Sequence, residues 1–365
     1  MARIGKLQLD PPLFQAALAG YSDTAMRLIA RRLGCPYCLS EALLDRLLVH
    51  GGRGRRAAEL DELDHPIGGQ IIGDDPATMA RAATILVKMG YDVIDVNLAC
   101  PVRKIRRKGR GGHLLAEPAA AIAILDAVRQ AVPDDVPCTV KLRRATDESP
   151  KAAANFFRIF EAAITLGYAA ATVHARTVAQ KYLGPSHWPF LTDLVKQYAP
   201  NTPHAGATAL GAAQAVLPHP TTPAPFFSIF GSGDIWQAAD VLAMIAQTGV
   251  AAVSVARGAI GNPWIFQQVR ALLAGDRNPP PPSLAEQRHV LAEHFDLVKR
   301  VHGDDRAGTL MRKFGIYFAR LHPSPDAVEE AFIAVKRPSD WSAVLDRWYN
   351  PPPLTPHPLR GERLS

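Results

Sequence analysis

The chain is predicted to be an α/β protein, a (β/α)8 TIM barrel followed by a small C-terminal all-helical domain. Three observations predict this. Eight short apolar, β-rich runs alternate with longer helical patterns up to about residue 256, the alternation of a parallel sheet with crossover helices. Four consecutive prolines at 279–282 then interrupt both helix and strand. Beyond them the pattern is helical, from residue 284 to about 348.

The strand runs are 13–18, 37–40, 66–71, 93–97, 138–142, 170–174, 226–230 and 252–256. Eight strands suit a closed barrel better than an open doubly wound sheet, which uses roughly five to seven. Between them Met79, Ala82, Ala83, Leu86 and Val87 recur at helical spacing, and Gly90 ends that pattern. Residues 203–225, rich in Ala, Gly, Pro and Thr, read as a long irregular loop or an insertion between the sixth and seventh strands. Leu291, Phe295 and Val298 form one stripe of the terminal helical part. The domains expected are therefore a barrel over 1–275, a helical domain over 284–350, and a loosely ordered Pro-rich tail over 351–365.

With 48% hydrophobic and 21% charged residues in 365, the composition is that of a globular protein and argues against disorder. The excess of 41 Lys and Arg over 34 Asp and Glu favours a polyanionic partner. No run of eighteen apolar residues appears, and the first ten residues are too polar for a signal peptide, so a cytoplasmic protein without membrane contact is expected. Cys35, Cys38, Cys100 and Cys138 are too few for a disulfide framework. Cys35 and Cys38 enter a strand, not a helix N-terminus, and no second pair completes a zinc site; no metal is expected.

Barrel chemistry sits at the carboxyl ends of the strands. Gln70 falls there on the third run, Asn97 and then Cys100 on the fourth, Lys141 and Arg143 on the fifth, His174 and Arg176 on the sixth. The seventh delivers Gly231, Ser232, Gly233 and Asp234, the eighth Ala256, Arg257 and Gly258. A single polar strand end is ordinarily a solvated cap, whereas amide, Lys, His and Arg converging from consecutive strands point to a site. Glycines with a cation after the last two strands are the residue types that bind a phosphate-bearing cofactor.

Several stretches carry a family resemblance. Asn97-Leu-Ala-Cys100-Pro101-Val-Arg-Lys104, with Lys108-Gly109-Arg-Gly111-Gly-His-Leu114-Leu115, resembles the strand-four signature of dihydrouridine synthases. His174-Ala-Arg176-Thr177, Gln180-Lys-Tyr182-Leu-Gly184-Pro-Ser-His-Trp188, Gly231-Ser-Gly-Asp234-Ile235 and Ala256-Arg257-Gly258-Ala259 match the same family, over roughly residues 13–275. Departures are Ala16-Ala17-Leu18 where the family commonly has Ala-Pro-Met, Ser232 for Asn, and Ala175 for Gly.

The resemblance implies a flavin mononucleotide (FMN) across the barrel mouth. Ala17, Leu18, Ala19, Gln70 and Lys141 would meet its ring, and His174, Ser232, Gly233, Asp234, Ala256 and Arg257 its phosphate side. Asn97 would contact the substrate uracil or the ring, and Cys100 would be the general acid. Saturating the uracil 5,6 double bond needs a hydride and a proton, and the flavin supplies only the hydride. A thiol with an ordinary pKa near 8.5 is protonated at pH 7 and can supply the other. The electron donor implied is NADPH or NADH, and the partner is tRNA; no obligate protein partner is expected. Arg103, Lys104, Arg106, Arg107, Lys108 and Arg110 put six cations beside the site; with Arg176 they are expected to contact RNA phosphates, although such a run is ordinarily a solvated loop. The helical domain resembles the family's RNA-binding domain. Two rival readings are an FMN barrel acting on a free pyrimidine and a non-catalytic RNA-binding barrel.

Overall fold

The computed structural model describes residues 2–198 and 227–350. The barrel strands are β1 (Leu13–Gln15), β2 (Cys38–Leu39), β3 (Ile67–Ile72), β4 (Val93–Leu98), β5 (Cys138–Arg143), β6 (Ala170–His174), β7 (Ser228–Ser232) and β8 (Ala252–Val255). Each pairs in parallel with its sequence neighbour, and Ser254 of β8 returns to face Phe14 of β1, which closes the ring. The helices that follow are α1 (Thr24–Arg32), α2 (Asp45–His50), α3 (Pro76–Lys88), α4 (Pro118–Ala131), α5 (Pro150–Thr165), α6 (Trp188–Tyr198), α7 (Ala238–Thr248) and α8 (Ile265–Leu273). Local chemistry sets their starts: Asp23, Asp75 and Ser149 accept hydrogen bonds from the first-turn N–H groups of Met26, Thr78 and Ala152. Proline occupies the first turn of α3, α4 and α5, where its missing N–H costs nothing.

All strands but the sixth differ from their expected bounds, by one to three residues at an end. The seventh begins at Ser228, because its ladder to β6 runs from Ser228 opposite Ala170 to Ser232 opposite His174; Phe226 lies outside the described residues. The first ends at Gln15, because the N–H groups of Tyr21 and Ser22 both bond the Leu18 carbonyl and turn the chain into α1. The second keeps two ladder residues. The expected loop or insertion at 203–225 and the tail at 351–365 lie outside the described residues.

Side chains alternate along a strand, and here the alternation divides the barrel interior into layers. Phe14, Tyr37, Leu39, Val93, Ala170, Phe230 and Ala252 form an apolar floor, plugged by Ala2, Ile4 and Leu9. Two residues further along the strands, Gln70, Asp95, Thr172 and Ser254 are buried and polar. The floor excludes water; the polar layer above it supports the mouth.

Residues from Pro280 form a second compact unit, with α9 (Leu284–His302), α10 (Asp304–Phe318), α11 (Pro325–Ile333) and α12 (Pro338–Trp348). Ser283 and Glu286 form a reciprocal cap at the start of α9. The core stacks Phe295 on Trp341 at 5.4 Å between ring centroids, with Phe332 tilted against Trp341 at 4.9 Å. Among the described residues no helix is long and apolar enough to cross a membrane.

Candidate active site

The site is built on a chain of hydrogen bonds that climbs from the barrel interior to Cys100. Asp95, at 1% exposure, accepts from the Thr139 hydroxyl at 2.6 Å and from Gln70 Nε2 at 2.7 Å. Gln70 Oε1 accepts from Asn97 Nδ2 at 2.6 Å. Asn97 Oδ1 accepts from the backbone N–H groups of Ala99 and Cys100, each at 3.0 Å. The Cys100 carbonyl accepts from the Gly112 N–H at 3.0 Å. Gly111 has φ +58, and a Cβ there would lie 2.9 Å from Cys100 Cβ, so only glycine lets this loop fold against the cysteine.

Arg143 ties the neighbouring loops together. Its Nε donates to the Ala99 carbonyl at 3.0 Å and its Nη1 to the carbonyls of Thr177 at 2.9 Å and Lys181 at 2.7 Å. Cys100 is thus held through Asn97, Gly112 and, by way of Ala99, Arg143. Burial raises its thiol pKa above the ordinary value, against the opposing pull of a Val102 backbone hydrogen bond and the Arg143 charge. The group is protonated at neutral pH, the state a proton donor requires.

Lys141 lies opposite Asn97 in the β4–β5 ladder and opposite Thr172 in β5–β6. Among the described residues none gives it a hydrogen bond or an ion pair. Burial, with Arg143 adding, lowers its pKa to about 7 against the attraction of Asp95. His174 is lowered further, to about 2, by burial and then by Lys141, Arg143, Arg176 and Arg257. Arg176 Nη1 donates to His174 Nε2 at 3.4 Å, which leaves the ring proton on Nδ1. The neutral imidazole sits in a pocket of positive potential, suited to an anion.

The β7 loop carries Gly233 at φ +114, where a Cβ would meet Ser186 Oγ at 2.4 Å and His174 Nε2 at 3.3 Å. Arg257, after β8, has its guanidinium between the rings of Tyr182 and Trp236, 4.9 and 4.6 Å from their centroids. Stacking covers the guanidinium faces and leaves its N–H edge available. Ser232 is buried, Ala256, Ala17 and Leu18 are half-buried, and Ala19 is exposed.

Arg176, expected to contact RNA phosphates, is engaged by protein groups in the structure. At 3% exposure, it donates through Nη2 to both carboxylate oxygens of Asp234, at 2.7 and 2.8 Å, and through Nε to the Gly184 carbonyl at 2.9 Å. It clamps the β6 loop to the β7 loop. Asp234 also accepts from the Ser186 N–H at 2.7 Å, so its carboxylate is committed to protein contacts. Asp234→Ala leaves a buried guanidinium without its partner and is expected to destabilise the fold by about 3–5 kcal/mol. A denaturant titration checks this, and a change within about 0.5 kcal/mol, the range of ordinary surface substitutions, would count against the clamp.

In the β4 loop, Arg103, Lys104, Arg107 and Lys108 are exposed and enter no ion pair among the described residues. The Arg106 side chain lies outside what is described. Arg110 differs: it is buried, with Nε 2.8 Å from Asp74 Oδ1, and anchors the loop. Cys35 and Cys38 are buried with sulfurs 3.7 Å apart, and burial raises the Cys138 thiol to about 12; all three pack as small core groups. Asp95, Thr139, Ser186 and Trp236 belong to the site although the strand-end pattern does not single them out. Period-two counting back from Asn97 leads to Asp95.

Together the fold and the site define a barrel enzyme whose mouth combines a protonated thiol, an amide relay and an anion-attracting pocket. The dihydrouridine synthase (Dus) family model matches residues 14–203 and 223–347, and the chain belongs to that family of oxidoreductases. It is 32% identical over 323 residues to tRNA-dihydrouridine synthase B of Pseudomonas aeruginosa, covering 88% of each chain. It is 30% identical over 359 residues to the probable tRNA-dihydrouridine synthase of Mycobacterium tuberculosis, covering 94% of this chain and 84% of that one. Among solved structures, histamine dehydrogenase from Rhizobium sp. 4-9 superposes with a TM-score of 0.53 at 12% identity. The match covers 81% of this chain and 50% of that one, and shows the shared fold alone.

Proposed function

We propose that this protein reduces the C5=C6 bond of uridine in tRNA to 5,6-dihydrouridine, with FMN as cofactor, NADPH or NADH as electron donor, and Cys100 as proton donor, in the cytoplasm. The observation that carries the reading is one barrel mouth holding a protonated thiol, Cys100, and a buried amine, Lys141, that enters no ion pair among the described residues.

The residues fit the flavin. Lys141 is a buried amine with its pKa lowered to about 7, and an anionic partner would favour its charged form. The Gly233 backbone lies where any Cβ would strike Ser186; Arg257 offers its N–H edge, and His174 the N–H on Nδ1. Ser232, Gly233, Asp234, Ala256, Arg257 and His174 would hold the phosphate; Ala17, Leu18, Ala19, Gln70 and Lys141 would meet the ring. When bound, the flavin supplies the hydride. Asn97 orients the uracil through whatever hydrogen-bonding capacity the relay leaves it, and Cys100 delivers a proton to C5.

tRNA is received by the free cations Arg103, Lys104, Arg107 and Lys108, with Arg106 on the same loop, and by the helical domain, our candidate RNA-binding unit. Replacing those four free cations together with Gln is expected to flatten the dependence of log K on log salt by up to about 0.7–0.9 for each phosphate no longer neutralised. Filter binding from low to moderate salt measures the slope; an unchanged slope removes this loop from the interface.

The test of function is nucleoside mass spectrometry of tRNA from cells lacking the gene. Dihydrouridine should disappear from defined positions and return with the wild-type gene. Unchanged tRNA dihydrouridine, with in vitro reduction of free uracil instead, would favour the free-pyrimidine reading.

A further inference from the structure

We propose that Asp95 is a positioning residue: its carboxylate sets the hydrogen-bond polarity of Gln70 and Asn97 and thereby fixes the turn that presents Cys100. Burial raises the Asp95 pKa, while the hydrogen bonds from Thr139 and Gln70 and the charge of Lys141 pull it back toward the ionised form; an ionised carboxylate can only accept hydrogen bonds, and a backbone N–H can only donate. Between these two fixed ends stand two amides, each of which could face either way.

Starting from Asp95, one orientation satisfies every group. Gln70 must present Nε2 to the carboxylate, at 2.7 Å. Its Oε1 is then left facing Asn97, which must present Nδ2, at 2.6 Å. Asn97 Oδ1 remains for the Ala99 and Cys100 N–H groups, at 3.0 Å each. Flipping either amide would set oxygen against oxygen at the lower end or NH2 against N–H at the upper end. The second Asp95 oxygen takes the Thr139 hydroxyl at 2.6 Å, which holds the carboxylate plane. A buried network of this kind costs more when half satisfied than its individual bonds suggest, so loss of Asp95 propagates to the loop.

The effect on turnover rests on the reaction proposed above; the effect on Cys100 itself does not. The experiment uses flavin-loaded Asp95→Asn and Asp95→Ala proteins. Three readouts are taken: flavin retained, the rate at which tRNA reoxidises the reduced enzyme, and the rate of Cys100 alkylation by iodoacetamide, followed by peptide mass spectrometry. Asp95→Ala is expected to slow reoxidation by about 10- to 100-fold, the scale of a misplaced reacting group, with the KM for tRNA little changed and Cys100 alkylation altered several-fold. Asp95→Asn, which can still accept from Gln70 but no longer forces it, should fall between. Gln70→Glu sets two carboxylates face to face; adding Asp95→Asn restores a donor, so the double variant should be faster than Gln70→Glu at pH 8.

Asp95 variants whose activity falls only in step with lost flavin, with Cys100 alkylated as in wild type, would overturn the proposal, as would a double variant slower than Gln70→Glu. Wild-type enzyme that leaves tRNA uridine unreduced would instead refute the proposed function, with the alkylation series still deciding the role of Asp95.

Discussion

Cys100→Ala is expected to lower the rate of dihydrouridine formation by about 10²–10⁴-fold, the usual worth of a positioned general acid, while leaving flavin content and tRNA affinity nearly intact. The residue is held by its backbone on either side of Cβ, its N–H donating to Asn97 Oδ1 and its carbonyl accepting from the Gly112 N–H, and neither bond depends on the sulfur. Removing it deletes a proton donor and the Val102 backbone hydrogen bond to the sulfur, and leaves the two bonds that anchor the loop. Single-turnover reaction of the reduced enzyme with tRNA isolates the step. The pH profile separates an acid from a packing group. Burial holds the Cys100 pKa above its ordinary value, so the wild-type rate should be level through neutral pH and fall about tenfold per unit once pH exceeds that raised pKa. In Cys100→Ala the alkaline limb should vanish. A variant as fast as wild type, or one with the limb intact, would assign the proton to another group.

Lys141→Met should cost about 10²–10³-fold in rate, the scale of one preorganised charge in a dry site, and should also weaken flavin binding. Its second signature concerns stability and has the opposite sign. The folded-state pKa of Lys141 is lowered to about 7, below the roughly 10.4 of an unfolded lysine. Between those values the unfolded chain binds the extra proton, so stability rises with pH across that window. Below about pH 7 both states are protonated and the full cost of a buried ammonium is present. The flavin-free methionine variant should therefore melt higher than wild type at pH 6, and the difference should shrink as pH approaches about 10. Melting curves at both pH values decide it. Equal stability at pH 6 would mean that Lys141 is not a strained buried cation. A residue that weakens the empty protein and speeds the loaded one is kept for function.

How far the sequence reached can be judged residue by residue. Run lengths, helix caps and the break at the four prolines are local properties, so the eight strands, their helices and the separate helical unit were legible, with strand ends displaced by a few residues. Strand ends depend on the ladder: β7 starts at Ser228 because Ala170 lies opposite it, and nothing within residues 226–232 encodes that partner. The strand-end rule brought Gln70, Asn97, Cys100, Lys141, His174 and Arg257 to attention, because in a barrel the carboxyl end of each strand faces the same mouth.

Whether a cation is free or spent is a matter of tertiary contact. Arg176 and Arg103 look alike in the chain, yet Asp234 lies 58 residues from Arg176 and consumes it, while Arg103 enters no ion pair among the described residues. Arg110, inside the basic run, is taken by Asp74 from 36 residues away. Asp95 was invisible for a related reason: a carboxylate inside an apolar strand acquires meaning only when closure of the barrel brings Thr139 and Gln70 to its two oxygens. By itself the sequence determined which elements form and which residue types crowd the mouth, because periodicity and capping act over a few residues. The direction of the hydrogen bonds, the state of Lys141 and the identity of the free cations were decided by tertiary structure alone, since each depends on burial and on partners that only the closed barrel assembles.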